Sequence, residues 1–219
     1  RDRLRSRGLG DVYKRQGFLL VDSGATYMDG TTDITRTYPL GELTEDEKRF
    51  YTWTLQSHID LARAVWLDYC ECKMIDTIAR EPLWRHLINY RCGTGHSVSF
   101  VGNVHEGPHA LNSRNTTRMR PGMVVTDEPG VYETDLVGIR IENELVCIHK
   151  ADNQYGTFLG FEPLTFVPIA TSPILSGVLD KDELAWLNDY HRQVFAKLAP
   201  HLNAEERVWL AEKCASIGC

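Results

Sequence analysis

Acidic and imidazole side chains recur along the chain at places where strand-like segments meet turns. Asp22 and Asp33 lie on either side of a turn-like segment, and His96 follows a glycine-rich tripeptide. Glu128 and Glu142 lie in two later strand-like segments. Taken singly, each has an ordinary interpretation as a turn, loop or solvated residue. Taken together, carboxylates and an imidazole are the residue types that bind divalent metal ions and catalyse hydrolysis.

Strand patterns surround the first two aspartates. Phe18–Asp22 is apolar enough for a buried strand, and the β-branched segment 34–38 predicts a second strand after a turn rich in glycine and aspartate. Thr44 followed by Glu47 is a capping-box signature, so a helix is predicted to begin here. Apolar residues at steps of three or four predict that it is long and amphipathic: Phe50, Trp53, Ile59, Ala62 and Trp66.

The middle of the chain predicts shorter elements. A second helix is predicted over 73–79 and is broken by Pro82, and a loop containing the glycines of 93–95 precedes His96. A short apolar strand is predicted over 123–126. The segment 137–148 alternates, with one core face and one face dense with charge. The charged side carries Gly138, Arg140, Glu142 and Glu144, and the other side carries Ile139, Ile141 and Leu145.

The tail is predicted to be mainly helical. After strand-like segments at 157–159 and 164–169, a helix is predicted from Asp180 to a stop at Pro200, followed by another over 205–214. An apolar stripe on the first of these helices could either complete the domain or form a subunit contact: Leu184, Leu187, Tyr190, Val194 and Leu198. The elements together predict a mixed α and β fold.

Composition excludes several classes of protein. With 219 residues, 42% hydrophobic and 25% charged, the chain fits one or two globular domains and excludes a collagenous or disordered protein. No apolar run approaches the roughly 18 residues that span a bilayer, and no signal-peptide core is present, so a cytoplasmic protein is predicted. The six cysteines lack zinc spacing and are predicted to be reduced thiols. The net charge of −6 argues against nucleic-acid binding.

The first sixteen residues differ from the rest. They hold six basic and two acidic side chains, so residues 17–219 carry a formal charge of −10. The segment 11–16, DVYKRQ, back-translates to a sequence that resembles a transposase adapter used in sequencing libraries. We therefore predict that residues 1–16 are an artefact rather than native sequence.

Several sequence blocks resemble the pita-bread metallopeptidases, and within them the long form of aminopeptidase P, which removes an N-terminal residue that precedes proline. The blocks extend over nearly the whole chain from residue 17. They are VDSGATYMDGTTDITRT, GTGHSVSFVGNVHEGP, GMVVTDEPGVYE, GIRIENEL, EPLTFVPI and WLNDYH. The resemblance implies an α+β fold of the pita-bread (creatinase/aminopeptidase-like) type, with a partial catalytic domain over 17–170 and a C-terminal helical region over 171–219.

The resemblance also implies a role for each candidate residue. Its metal ligands are Asp22, Asp33, His96, Glu128 and Glu142. His105 corresponds to the histidine that stabilises the reacting carbonyl, and Glu128 is expected to move the proton from the attacking water to the leaving proline nitrogen. Arg140 is expected to pair with the ligand carboxylates.

The implied ligand set also makes physical sense. Four carboxylates in one pocket would repel strongly, and two divalent cations would balance their charge. Oxygen ligands with one imidazole suit Mn²⁺, although Zn²⁺, Co²⁺ or Fe²⁺ would also bind. Two such ions would activate a water for amide hydrolysis.

The chain departs from the family in two ways. Cys92 stands where a second histidine is common, and it could be a structural thiol or a thiolate near the metals; Ser97 replaces a glycine. The first half of the catalytic domain, with a histidine near the leaving side of the substrate, is expected upstream of Gly17. The chain alone is therefore expected to be inactive or unstable, because a half-sheet leaves an unpaired edge.

Other functions fit parts of the pattern. A prolidase shares the fold and ligands but cleaves only dipeptides, whereas the DGTTDITRT block and the WLNDYH tail favour aminopeptidase P. Methionine aminopeptidase lacks this extended tail. A metal-free binding module or amidine hydrolase of the same fold would have its ligands replaced. The expected partners are peptides with proline in the second position and a second copy of the chain in a homodimer, with no nucleic acid and no membrane.

Overall fold

The computed structural model describes residues 17–218, and the segment 1–16, predicted to be an artefact, lies outside the described residues. The first elements are two antiparallel strands, β1 (Phe18–Tyr27) and β2 (Gly30–Pro39), joined by a two-residue turn. The predicted turn between Asp22 and Asp33 is wrong, since most of this segment continues the two strands. Its turn-like composition has another cause at Gly24, where a Cβ atom would lie 2.4 Å from the Thr32 carbonyl oxygen.

The first helix, α1, extends over Glu45–Ala62. Thr44 and Glu47 form the predicted capping box, in which each side chain accepts a hydrogen bond from the main chain of the other. The prediction that the helix continues through Trp66 is wrong, because Trp66 lies in a short strand, β3 (Val65–Leu67). Trp66 is nevertheless buried, and the spacing of one apolar residue does not distinguish a helix from a strand that follows it.

The second helix, α2, extends over Cys72–Trp84 and is longer than predicted. Pro82 lies inside it and does not break it. A proline removes the hydrogen bond from its own main-chain nitrogen to the carbonyl group four residues earlier. Pro82 is buried, so its packing favours the helical course.

The remaining strands form one sheet and two short pairs. The sheet is antiparallel, has the strand order β3-β10-β9-β6, and contains β6 (Val124–Asp127), β9 (Asn143–Asn153) and β10 (Gly156–Pro163). The short pairs are β4 (Gly95–His96) with β5 (Ala110–Leu111), and β7 (Gly130–Glu133) with β8 (Val137–Arg140).

Two strand predictions need correction. The segment 137–148 is divided between β8 and β9, which pair with different strands, and Glu142 lies at the break between them. The predicted strand at 164–169 is an irregular segment. Its carbonyl groups bond to the side chains of Arg36 and Tyr190, rather than to a neighbouring strand.

The tail folds back onto the rest of the chain. It contains α3 (Lys181–Leu198), a 3₁₀ turn over Ala199–His201 and α4 (Ala204–Lys213). The apolar stripe of α3 packs in one core with side chains of α1 and β8, so it completes the domain core. Within residues 17–218, no helix has the length and apolar character that crossing a membrane requires. The cysteines of this part of the chain are free.

Candidate metal centre

Three side chains from different parts of the fold converge on one point. Asp33 lies on β2, His96 on β4 and Glu142 between β8 and β9, and each contributes one ligand atom to a group whose members lie within 4.8 Å of one another. Glu142 is almost fully buried, at 1% exposure. The three residues were predicted as ligands, and the structure brings them together.

Glu128 extends this group at the end of β6. Its Oε1 atom lies 3.2 Å from His96 Nε2, and the same nitrogen lies 3.5 Å from an oxygen of Asp33. The other ring nitrogen of His96, Nδ1, lies 3.1 Å from the carbonyl oxygen of Ser97, to which its N–H donates. In the neutral imidazole, Nε2 is then the nitrogen without a proton, and it faces the carboxylates, as a metal-binding imidazole requires.

Asp22 is not part of this group. Its register partner is Thr35 and that of Gly24 is Asp33, so alternation places both aspartates on one face of the β1-β2 hairpin. The Asp22 carboxylate, however, accepts a hydrogen bond from Arg140, and its side chain is 53% exposed. The structure therefore brings four of the five predicted ligands together and turns the fifth toward Arg140.

Arg140 links several groups around the site, as its predicted pairing with carboxylates requires. Besides Asp22, it donates hydrogen bonds to Thr35 Oγ1 at 2.9 Å and to the Tyr132 hydroxyl at 2.6 Å. Thr35 in turn donates to Glu142 Oε2 at 2.5 Å. Thr35 and Tyr132 were not predicted as site residues from the sequence. Thr35 could have been found, because it lies two residues after Asp33 and therefore on the same face of its strand.

His105 lies beside the carboxylate group, as the resemblance implies. Its ring centroid is 3.8 Å from that of His96, with the two planes tilted by 48°. His105 is exposed, whereas His96 is partly buried. This placement leaves the His105 ring accessible to a molecule bound at the site.

Burial and the charges of neighbouring carboxylates raise the pKa values of the two glutamates in the absence of a cation. Burial, together with the charges of Glu128 and Asp33, raises the pKa of Glu142 to about 8. Burial also raises the pKa of Glu128. Burial lowers the pKa of His96, but its hydrogen bond to Asp33 and the nearby carboxylates outweigh this effect and raise it. The donor set therefore fits divalent cations, which would supply the positive charge that protons otherwise provide.

A cavity of about 790 Å³ lies near the site, although its lining includes none of Asp33, His96, Glu128 and Glu142. Its lining includes Thr32 and Ser97, the sequence neighbours of Asp33 and His96, and also Glu144. Burial raises the pKa of Glu144 to about 7. The cavity is large enough for part of a peptide.

Cys92 has the environment of a neutral thiol. Its sulfur donates to the carbonyl oxygen of Gly130 at 3.7 Å. Burial and the negative charge of Glu128 raise the pKa of the Cys92 thiol. Of the two roles left open by the sequence, the hydrogen bond to Gly130 favours the structural thiol, although the Cys92 residue is exposed.

Comparison with known proteins shows two matching family models. Residues 5–149 match the model of metallopeptidase family M24, and residues 157–217 match the C-terminal region of peptidase M24. Aminopeptidase P2 of Arabidopsis thaliana is 45% identical over 202 residues, a span that covers 89% of this chain and 28% of the relative.

Solved structures include similar folds. An X-prolyl aminopeptidase from Caenorhabditis elegans, described as a cytosolic enzyme with a di-nuclear active site, is 40% identical with a TM-score of 0.86. That match covers 90% of this chain and 33% of the nematode protein. A prolidase from Pyrococcus furiosus is 28% identical with a TM-score of 0.60, and the match covers 69% of this chain and 42% of the prolidase. The chain thus spans about a third of the length of its aminopeptidase relatives.

Proposed function

Since the chain belongs to metallopeptidase family M24, we propose that it is part of a dinuclear-metal aminopeptidase that hydrolyses the bond between an N-terminal residue and a following proline. The observation that carries this proposal is the convergence of Asp33, His96, Glu128 and Glu142 on one point. The pita-bread fold of the family accounts for the mixed helices and strands that surround this point.

The proposed ligands of two divalent ions are those predicted from the sequence: Asp22, Asp33, His96, Glu128 and Glu142. Asp22 would turn from Arg140 toward Asp33, and their common face of the hairpin supports this assignment. Mn²⁺ is the proposed metal, because most of the donors are carboxylate oxygens. When bound, the ions would polarise the scissile carbonyl and lower the pKa of a water.

Three residues would handle the substrate and its protons. Glu128 would take a proton from the attacking water and deliver it to the proline nitrogen as the peptide bond breaks. His105 would donate a hydrogen bond to the carbonyl oxygen as negative charge develops there. Arg140 would hold the Glu142 carboxylate in place through Thr35.

The test uses protein expressed from the complete reading frame that contains this chain. We expect release of the first residue from an Xaa-Pro-Xaa tripeptide, dependent on Mn²⁺ and abolished by a chelator. The matched control peptide has alanine in place of proline and should be cleaved poorly. Absence of tripeptide cleavage in the presence of Mn²⁺ would contradict the proposal.

Assays on the same protein preparation distinguish the proposed aminopeptidase from two other functions. Cleavage of Xaa-Pro dipeptides alone would indicate a prolidase, although the prolidase from Pyrococcus furiosus matches a smaller share of this chain than the nematode aminopeptidase does. Protein without bound transition metal after purification in Mn²⁺ would indicate a metal-free binding module or amidine hydrolase.

We further propose that the protein is cytoplasmic and forms a homodimer. The description of the nematode relative as cytosolic supports the location. Val208 and Trp209 on α4 are 62% and 55% exposed, and such apolar side chains are suited to a contact between subunits. Light scattering after size exclusion would give the mass of the particle, and a monomeric mass would contradict the dimer.

A further inference from the structure

The two glutamates of the candidate centre, Glu128 and Glu142, lie next to the last residue pair of the β6-β9 ladder. Asp127 and Asn143 are the partners in that pair, and Glu128 and Glu142 lie one residue beyond it on their respective strands. Because successive residues point to opposite faces of a strand, Asp127 and Asn143 are expected to face away from the carboxylate group. Both are fully buried, at 0% exposure.

His58 of α1 joins the two side chains of this pair. Its Nδ1 atom lies 3.1 Å from Asp127 Oδ2, and its Nε2 atom lies 3.3 Å from Asn143 Nδ2. His58 is also fully buried. His58 thus lies within reach of both side chains, although the carboxylate oxygens of Asp127 have no hydrogen-bond partner among the described residues.

Arg36 holds the other side of Asn143. It follows Thr35 on β2 and therefore faces away from the side of β2 that carries Asp33. Its guanidinium donates to Asn143 Oδ1 at 2.7 Å and to the main-chain oxygens of Thr35 and Glu142. One side chain thus bonds directly to the backbone of a candidate ligand.

The same guanidinium reaches the C-terminal region. It donates to the main-chain oxygens of Val167 and Pro168 at 2.8 and 3.2 Å, and to the Tyr190 hydroxyl of α3 at 3.0 Å. Arg36 is 3% exposed, so these bonds are made away from solvent. A planar group with five donors suits such an array of fixed acceptors, and a lysine would not.

We propose that Arg36 and Tyr190 are positioning residues through which the C-terminal region holds the metal-binding glutamate Glu142. Tyr190 orients the guanidinium, which then fixes the Glu142 backbone and the Asn143 side chain. The inference rests on the proposed function in taking Glu142 as a metal ligand. It assigns a role at the centre to α3, none of whose residues is among the proposed ligands.

The test replaces Tyr190 by phenylalanine in protein from the complete reading frame. This change removes only the hydroxyl and keeps the ring, which stacks on Trp186. Tyr51→Phe is the matched control, because the Tyr51 hydroxyl is also buried and donates to a carbonyl of the C-terminal region, that of Ala170, at 2.7 Å. Calorimetric titration gives the Kd for Mn²⁺, and peptide hydrolysis gives kcat and KM.

We expect Tyr190→Phe to raise the Kd for Mn²⁺ at least fivefold and to lower kcat, with KM within twofold of wild type. Tyr51→Phe should leave both Kd and kcat within twofold, even where it lowers the melting temperature equally. Arg36→Lys retains the charge without the planar geometry, and it should weaken Mn²⁺ binding more than Tyr190→Phe does.

Three results would overturn the inference: an unchanged Kd for Mn²⁺ in both Tyr190→Phe and Arg36→Lys, an equal rise of the Kd in Tyr51→Phe, or a wild-type protein that binds no divalent ion. A wild-type protein that binds Mn²⁺ but cleaves no Xaa-Pro peptide would contradict the proposed function alone, since the Kd values would still report on positioning.

Discussion

Glu128 is the side chain on which the proposed proton transfer depends most directly. Its Oε1 atom lies 3.2 Å from His96 Nε2 and accepts a hydrogen bond from Thr126 Oγ1 at 3.1 Å. In the absence of a cation, burial raises the pKa of this carboxyl group. The same residue is a proposed metal ligand, so its charge matters as well.

Replacement of Glu128 by glutamine tests this role. The amide keeps the size of the side chain but neither carries the charge nor accepts the proton, so kcat should fall by roughly 10²-fold or more. Initial rates on an Xaa-Pro tripeptide measure the effect. Glu162→Gln changes an exposed glutamate of β10 in the same way and should leave kcat unchanged. Near-normal activity of Glu128→Gln would contradict the proton-transfer role.

Among the elements, α1 begins with a hydrogen-bonded cap that can be tested separately from the site. The main-chain N–H of Glu47 donates to Thr44 Oγ1 at 3.2 Å, and that of Thr44 donates to Glu47 Oε2 at 2.7 Å. Thr44→Ala removes the first of these bonds and should lower the free energy of unfolding by about 1 kcal/mol. Chemical denaturation measures the change. Thr116→Ala, at an exposed loop position, is the control, and a Thr44→Ala loss no larger than the control's would contradict the prediction.

The free energy of unfolding is predicted to depend on pH through the contact of α3 with the segment after β10. His191 is fully buried and accepts a hydrogen bond from the Ile169 N–H at 3.1 Å. Burial, with the charge of Arg36, lowers the pKa of His191 to about 4. Between this value and the unfolded value near 6.5, the unfolded chain binds more protons, so this contribution to stability is complete above about pH 6.5 and is lost toward pH 4.

Comparison of wild type with His191→Gln separates the contribution of His191 to stability from that of the carboxyl groups, which titrate in the same range. The loss of stability from pH 6.5 to 4 should be about 3 kcal/mol smaller in the variant, which cannot take up the proton. Denaturation curves at several pH values measure it. His201→Gln, at an exposed site, should retain the wild-type dependence. Identical pH profiles for wild type and His191→Gln would show that His191 is not the group responsible.

For the whole molecule, the most exposed part of the sheet structure is β1. Within residues 17–218 it pairs only with β2, and its apolar residues Leu19 and Val21 are 47% and 41% exposed. An apolar strand with a free edge is a template for association between chains. The instability expected for the chain alone is therefore assigned to the free edge of β1.

We predict that Leu19→Lys reduces the aggregation of the 219-residue chain, because a charge on an edge strand opposes pairing with another copy. Light scattering against protein concentration measures the effect. Met74→Lys is the matched control, since Met74 is 49% exposed but lies on α2. Equal improvement by both changes would indicate a general effect of charge rather than pairing at β1.

The amino-acid sequence by itself determined the family, the mixed α and β fold and the capped beginning of α1. These features depend on local patterns: residue types in a fixed order, and a cap whose partners lie three residues apart. The family and the fold class are confirmed. The roles of Asp22, Asp33, His96, His105, Glu128, Arg140 and Glu142 stay predictions, although the structure places most of them together.

Only the tertiary structure decided which side chains hold the ligands in place. Arg36, Asn143 and Tyr190 are far apart in the sequence, and nothing in their local patterns relates them. The helix through Pro82 and the irregular course of 164–169 were also decided there. The physical reason is the same in each case, since burial and long-range hydrogen bonding outweigh the local preference of a residue once the chain is packed.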